Sequence, residues 1–268
     1  MLETFTVPAI RRAHKLDMGE KTCYWFEMDH EYEGENNLLN IFDIYLNRYN
    51  WEKFIKPGMT VVDIGGHSGD TAVPMQFLAE SVVLSIEPNP SIKQYLDFAC
   101  RLNSHLGKFV TAHEAVTTED TDRVVIMDHC NGMCNGGLID DSWTQELKDR
   151  VQGMGKESIT VPGMTLEHIC EKYLTPEEIA NIGFIKTDTE GHDISILQSS
   201  RDFILRNKPV VFTEWFFAYG PEENKKLFDV IASMNYRAFN PKTLEPADIN
   251  QPIPDLLLIH ETKINDYI

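Results

Sequence analysis

One junction constrains this chain more than any other feature. Val61-Val62-Asp63-Ile64, a short run of buried-type residues, breaks into Gly65-Gly66-His67-Ser68-Gly69-Asp70 and then into Thr71 to Glu80, which suits a helix. A strand turning through small residues into a helix is the opening unit of an open α/β sheet, whose ligands bind at the carboxyl ends of the strands. The alternation continues. Val82 to Ile86 reads as a second strand closed by Glu87-Pro88, and Ser91 to Leu106 places Ile92, Tyr95-Leu96, Ala99 and Leu102 on one helical face. Phe109 through Val116 gives a third strand. Phe184 to Asp188 and Val210 to Glu214 follow as strands around a helix from Ile194 to Leu205, and a helix spans Glu222 to Met234. Tyr236–Phe239 and Asp255–His260 then suit an antiparallel edge. The expected fold is α/β and Rossmann-like: a mostly parallel seven-stranded sheet with helices on both faces.

The flanks and one interruption depart from this rhythm. Residues 1–57 read as a lead-in packing on a core domain of 58–268. It has a β-prone stretch over Thr22–Met28, then Leu38-Leu39, Phe42, Tyr45-Leu46 and Tyr49 at helical spacing, and a Pro57-Gly58 turn. Between about 122 and 162 an insertion is expected, an added hairpin with strands at Val124–Met127 and Ile159–Val161 around an Asn/Gly-rich loop at 131–137. A helical pattern resumes at Leu166–Leu174. Thr175-Pro176-Glu177-Glu178 offers a helix start with an N-cap, a proline at the first position and an acidic first turn.

Composition narrows the partners. The formal net charge is −18, from 24 Lys+Arg against 42 Asp+Glu, so the surface repels phosphate backbones and anionic membranes, and neither is an expected partner. No apolar run approaches the roughly 18 residues that span a bilayer. The first residues, MLETFTVPAIRR, lack a long apolar stretch, so no secretory signal is read and a cytoplasmic location is expected. Cys130 and Cys134 form the single close cysteine pair, with no second pair to complete a structural zinc site. Nothing in the sequence sets the oligomeric state.

The glycine turn lacks the spacing of a dinucleotide fingerprint: His67 and Ser68 stand where G-x-G would need glycine. Asp63 followed by Gly65 and Gly69 suits a ligand with an amino-acid end, its ammonium near Asp63 and its carboxylate on exposed N–H groups. Glu87, about 20 residues on, stands where a carboxylate accepts both ribose hydroxyls in nucleotide-binding sheets, and Pro88-Asn89-Pro90 fixes the turn behind it. A second cluster, Asp188-Thr189-Glu190-Gly191-His192-Asp193, ends another strand and shares the rim. Activation of a substrate hydroxyl there needs a proton acceptor: His192 has suitable chemistry, with Asp188 or Glu190 orienting it or the substrate. Glu214 ends the next strand. Asp188, His192 and Glu214 offer a ligand set for a divalent cation, although their spacing is not diagnostic and no required metal is expected.

Taken in order, these motifs resemble the FkbM family of methyltransferases, which shows D-x-G-A-N-x-G, then E-P, then K-x-D-x-E-G-x-E, then a strand ending in Glu. Here the matching residues are Asp63 to Gly69, Glu87-Pro88, Lys186 to Asp193 and Pro209 to Glu214. Val161-Pro162-Gly163-Met164-Thr165-Leu166-Glu167 is also similar to the family's lead into a helix, so the likeness runs from about Pro57 to Trp215. Gly66 and His67 replace the family's Ala and Asn, and Asp193 replaces its second Glu. The resemblance implies a class I methyltransferase fold, S-adenosylmethionine as donor, and O-methylation of a sugar or other small metabolite. The implied donor site takes in Asp63, Gly65, Gly66, His67, Ser68, Gly69, Glu87, Pro88, Asn89, Glu114 and Ala115; the implied catalytic group is Asp188, Glu190, His192 and Glu214. A non-catalytic nucleotide-binding module and a nicotinamide-dependent oxidoreductase are the competing readings, and the absent G-x-G-x-x-G counts against the second.

Overall fold

The computed structural model describes residues 10–28, 42–128 and 157–268. The expected helical positions Leu38 and Leu39, the pair Cys130 and Cys134, and the 131–137 loop lie outside them.

The lead-in opens with a hairpin that the sequence did not announce in full. Strand β1 (Ile10–Met18) pairs antiparallel with β2 (Lys21–Met28). A π-helix over Asp43–Arg48 and a one-turn helix α1 (Trp51–Phe54) lead to the core. The core runs β3 (Thr60–Ile64), α2 (Ala72–Ala79), β4 (Val82–Ile86), α3 (Lys93–Leu102) and β5 (Lys108–Ala112). An excursion follows through β6 (Ala115–Val116), β7 (Thr121–Asp128) and β8 (Glu157–Met164). Helices α4 (Leu166–Tyr173) and α5 (Pro176–Ala180) return the chain to β9 (Ile182–Thr187), α6 (Asp193–Ser199), α7 (Arg201–Asn207) and β10 (Val210–Glu214). Helix α8 (Pro221–Ser233), strands β11 (Tyr236–Phe239) and β12 (Asp255–His260) and helix α9 (Ile264–Tyr267) finish it.

The central sheet has seven strands in the order β11-β12-β10-β9-β3-β4-β5. All run parallel except β12, which pairs antiparallel with both β10 and β11. The fold is therefore the mostly parallel, Rossmann-like sheet expected, with its reversed strand one place in from the edge. Strands covered on both faces can be apolar at every position, and alternate side chains then enter different layers. Val62, Leu84, Ile185 and Val211 join one core, while Val61, Val83, Phe184 and Phe212 join the other.

The lead-in is fixed to the second core by aromatic rings. Trp51 and Phe54 are fully buried there, with Trp51 edge-on to Phe184 and Phe212. Truncating such a tryptophan to alanine costs about 3–5 kcal/mol. Cys23, Trp25 and Phe26 of β2 pack on Val73 of α2 and on Tyr95 and Phe98 of α3.

Two expected elements divide. The third strand stops at Ala112, because Ala115–Val116 leaves the main sheet and pairs with β8, joining the inserted β7–β8 hairpin in a three-stranded sheet. The helix expected from Ile194 to Leu205 breaks at Ser200, a residue type that competes poorly inside helices. The cap at Thr175 forms as expected, its hydroxyl accepting from the Glu178 N–H and the Glu178 carboxylate from the Thr175 N–H.

Candidate active site

The carboxyl ends of β3, β4, β9 and β10 make one rim, and the glycine turn and the second acidic motif meet on it. The Asp188 N–H donates to Ile64 O at 3.1 Å, tying the end of β9 to the end of β3. Gly65 has φ +80° and lies so close to this neighbour that a Cβ would sit 1.9 Å from the Asp188 carbonyl oxygen. A side chain at Gly66 would sit 2.0 Å from Ser85 Oγ. Glycine at both places lets the turn fold flat against the strand ends.

The turn is held from β4. The Gly65 and Gly66 N–H groups both donate to Ile86 O, at 3.0 and 2.9 Å, and the Gly69 N–H closes on Gly66 O at 2.8 Å. Glu87 is buried, and each of its oxygens accepts one backbone N–H: Oε2 from His67 at 3.0 Å, Oε1 from Asn89 at 2.8 Å. Each oxygen keeps capacity for a further donor. Burial pushes the Glu87 carboxyl upward, against His67 and the two N–H groups. Pro88 is half-buried, and the Asn89 side chain caps the Ser91 N–H. Ser68 is buried with Oγ 3.2 Å from His67 Nδ1. His67 Nε2 is closed to solvent and meets no hydrogen-bond partner among the described residues.

Three of the expected donor residues have side chains engaged within the protein. Asp63 is fully buried, accepting from Thr71 Oγ1 at 3.0 and 2.9 Å and from Ser85 Oγ at 2.8 Å, with the Lys186 ammonium 3.5 Å away. Its side chain locks β3 to α2 and β4 and does not present itself to a ligand's ammonium. Glu114 accepts from Lys172 Nζ and Tyr173 Oη, which pins α4 to the end of β5 and engages its carboxylate. Ala115 is buried in a small cluster with Ile126 and Val161, so its methyl faces the excursion.

Lys186 ties both halves of the rim together. Its side chain is 2% exposed, and Nζ donates to Gly65 O at 2.9 Å while standing 3.4 Å from Asp188 Oδ2 and 3.5 Å from Asp63 Oδ1. Burial alone would lower this lysine; Asp188, Asp63 and Asp70 outweigh it and hold the ammonium charged.

Around Asp188 the carboxylates crowd. One oxygen each from Asp188, Glu190 and Glu214 fall within 4.8 Å of one another. The Glu190 N–H donates to Glu214 Oε2 at 3.1 Å, and Glu190 holds a left-handed φ of +56°. Burial, then Asp188 and Asp193, push Glu190 up to about 8. Burial, then Asp188, Asp193 and Glu190, push Glu214 up to about 11. The three carboxylates close enough to share a cation are Asp188, Glu190 and Glu214, and His192, expected with Asp188 and Glu214, is not among them. His192 stands at the N-cap position of α6, buried, with both ring nitrogens closed off from solvent, which is not the open placement expected of an acceptor-side base. Asp188, with its side chain 39% exposed, is open to a ligand.

Four rim residues escaped the sequence reading. Asp255 opens β12, and because β12 runs backwards its first residue lands beside Glu214. Tyr49 Oη donates to Asp255 Oδ2 at 2.6 Å, and burial pushes Asp255 up to about 6 against that bond. Tyr45 stacks on Trp51 and lies within electrostatic reach of Asp70, Asp188 and Asp255. Asp70 follows the glycine turn, raised by burial against His67 and Lys186. Its adjacency to Gly69 was the available signal; the tyrosines gave none beyond helical spacing.

A sheet of this order, with a glycine turn on its first core strand and a carboxylate ending its second, defines a Rossmann-like class I methyltransferase fold. Residues 63–240 match the family model described as Methyltransferase FkbM domain, and the chain belongs to that family of methyltransferases.

Several solved structures are similar. Methyltransferase FkbM from Methylobacillus flagellatus KT aligns with a TM-score of 0.46 at 15% identity over 83% of this chain and 52% of that one. This chain thus spans about half the length of that structure. A putative rRNA-methylase from Clostridium thermocellum gives 0.42 at 12% identity, over 84% and 95% of the two chains. Aeropyrum pernix fibrillarin, with natively bound S-adenosyl-L-methionine, gives 0.41 at 9%, over 97% and 100%. Among curated protein sequences none matches. No helix of the described residues is long and apolar enough to cross a membrane.

Proposed function

We propose that this protein transfers the methyl group of S-adenosylmethionine to a hydroxyl of a small molecule, with carbohydrates and other polyhydroxylated metabolites as the acceptor class. One observation carries the reading: Lys186 bridges Gly65 O and Asp188 Oδ2, so the turn that suits a donor and the carboxylate that suits an acceptor stand side by side. The residues present fit the donor. Glu87 has acceptor capacity left for ribose hydroxyls, and the unmatched His67 Nε2 lies in the glycine turn. When bound, the donor supplies a methyl group on a sulfonium, open to in-line displacement.

The chain's own residues do the rest. Glu87 and the glycine turn hold and orient the donor. Asp188 accepts the proton of the acceptor hydroxyl, and Lys186 stabilises its charge. Tyr45, Tyr49 and Asp255 wall the acceptor side and limit the water that enters. The formal net charge of −18 opposes a nucleic-acid backbone, which favours a small acceptor.

Calorimetry with S-adenosylhomocysteine and with NAD tests the donor. Binding of the first alone is expected, and preference for NAD would sink the reading. Labelled S-adenosylmethionine with a panel of sugars and phenols then tests the acceptor. A second arrangement has Asp188, Glu190 and Glu214 holding a divalent cation that acidifies the hydroxyl. Loss of transfer on chelation, restored by magnesium, selects it.

A further inference from the structure

The lead-in brings a tyrosine to the rim that the donor site does not use. Asp43–Arg48 winds as a π-helix, and the Tyr49 N–H donates to Ile44 O at 2.8 Å. Such an i→i+5 turn is rare and frequently marks a functional site. Here it carries two tyrosines whose ring centroids are 6.0 Å apart, and Tyr45 stacks on Trp51 at 4.2 Å. Trp51 in turn stands edge-on to Phe184 of β9 and Phe212 of β10, the strands that lead into Asp188 and Glu214. Ring upon ring, the lead-in is seated against the acceptor side.

The two hydroxyls differ in what they meet. Tyr49 Oη is spent on Asp255 Oδ2 at 2.6 Å. Tyr45 is half-buried, and its hydroxyl makes no hydrogen bond among the described residues. Burial, then Asp70, Asp188 and Asp255, push its phenol well above the usual tyrosine range, so it stays a neutral O–H. Asp70 follows the glycine turn, while Asp188 and Asp255 stand on the acceptor side, so this hydroxyl lies between the two halves of the site. An ionised carboxylate can only accept, and the Lys186 ammonium is already engaged by Gly65 O, Asp63 and Asp188. A ligand oxygen that needs a donor therefore finds one in Tyr45. We propose that Tyr45 is a positioning residue that donates to a second oxygen of the acceptor, beside the one Asp188 deprotonates, and so selects vicinal diols and catechols over isolated hydroxyls. The inference rests on the methyl-transfer reading of the rim, and it puts part of acceptor choice in a segment outside the matched residues 63–240.

Labelled S-adenosylmethionine with matched acceptors tests it: catechol against phenol, and a vicinal cyclohexanediol against cyclohexanol, with methyl glucoside to read the position methylated. Tyr45→Phe keeps the ring on Trp51 and removes only the hydroxyl. Its kcat/KM for the diols should fall about tenfold, carried by KM, and the preference for diols over mono-ols should collapse by the same factor. Methylation of the glucoside should spread over more positions. S-adenosylhomocysteine affinity in calorimetry should stay within about twofold, because the lost bond is to the acceptor. An unchanged diol preference, an equal loss on diols and mono-ols, or a weakened S-adenosylhomocysteine overturns the assignment, the last by moving Tyr45 to the donor. If the unmutated protein transfers to none of these probes, the acceptor reading itself falls.

Discussion

Lys186→Met removes the cation that three carboxylates surround, and its consequence can be worked from the geometry. Asp63 loses its partner at 3.5 Å while fully buried, and Gly65 O loses a donor at 2.9 Å. Breaking a buried ion pair from one side costs about 3–5 kcal/mol, because the remaining charge stays in a low-dielectric site. Asp63 keeps Thr71 and Ser85 as donors, and Asp188 is solvated on its open side, so the low end, about 3 kcal/mol, applies. At this chain length that is a drop in unfolding temperature of about 6–12 °C. Scanning calorimetry or a thermal fluorescence scan reads it directly. Lys186→Met/Asp63→Asn, which removes both charges, should recover at least half of the loss. A single variant melting within about 2 °C of the unmutated protein, or a double variant no better than the single, would refute the buried-bridge argument.

The remaining predictions concern the donor, the acceptor side and pH. Glu87→Ala should weaken S-adenosylhomocysteine by about ten- to a hundredfold in calorimetry, and unchanged affinity in a folded variant would return Glu87 to a purely structural part. Asp188→Asn should lower turnover of an acceptor found by screening by about 10²–10⁴, with donor affinity nearly intact. Glu190 is raised from 4.5 to about 8, so between those values the folded state holds a proton that the unfolded state has lost. Stability is therefore fully present below about 4.5 and falls as pH rises toward about 8, and Glu190→Gln should flatten that slope in denaturant titrations. A slope of the opposite sign would refute it.

Much of this protein was settled along the chain, because the relevant physics is local. Apolar runs bounded by glycine and proline placed β3, β4, β9 and β10 within a residue or two. The turn at Gly65–Gly69 and the acids at Glu87, Asp188 and Glu214 fell at strand ends by pattern alone, and Thr175 and Glu178 fixed a helix start through bonds three residues apart. What the tertiary structure decided is where distant segments meet and which polar atoms find each other there. Whether Asp63 faces a ligand or a lysine depends on Lys186, which is far along the chain and adjacent in space only because β9 lies beside β3. Glu114 is engaged because α4 brings Lys172 and Tyr173 to it. Asp255 reaches the rim because β12 is the reversed strand, and Tyr49 reaches Asp255 because Trp51 anchors the lead-in beneath it. Burial then separated neighbours of one motif, enclosing His192 and leaving Asp188 open. Sequence pattern sets which residues stand at strand ends; long-range packing sets which of them stay charged, exposed and free to act.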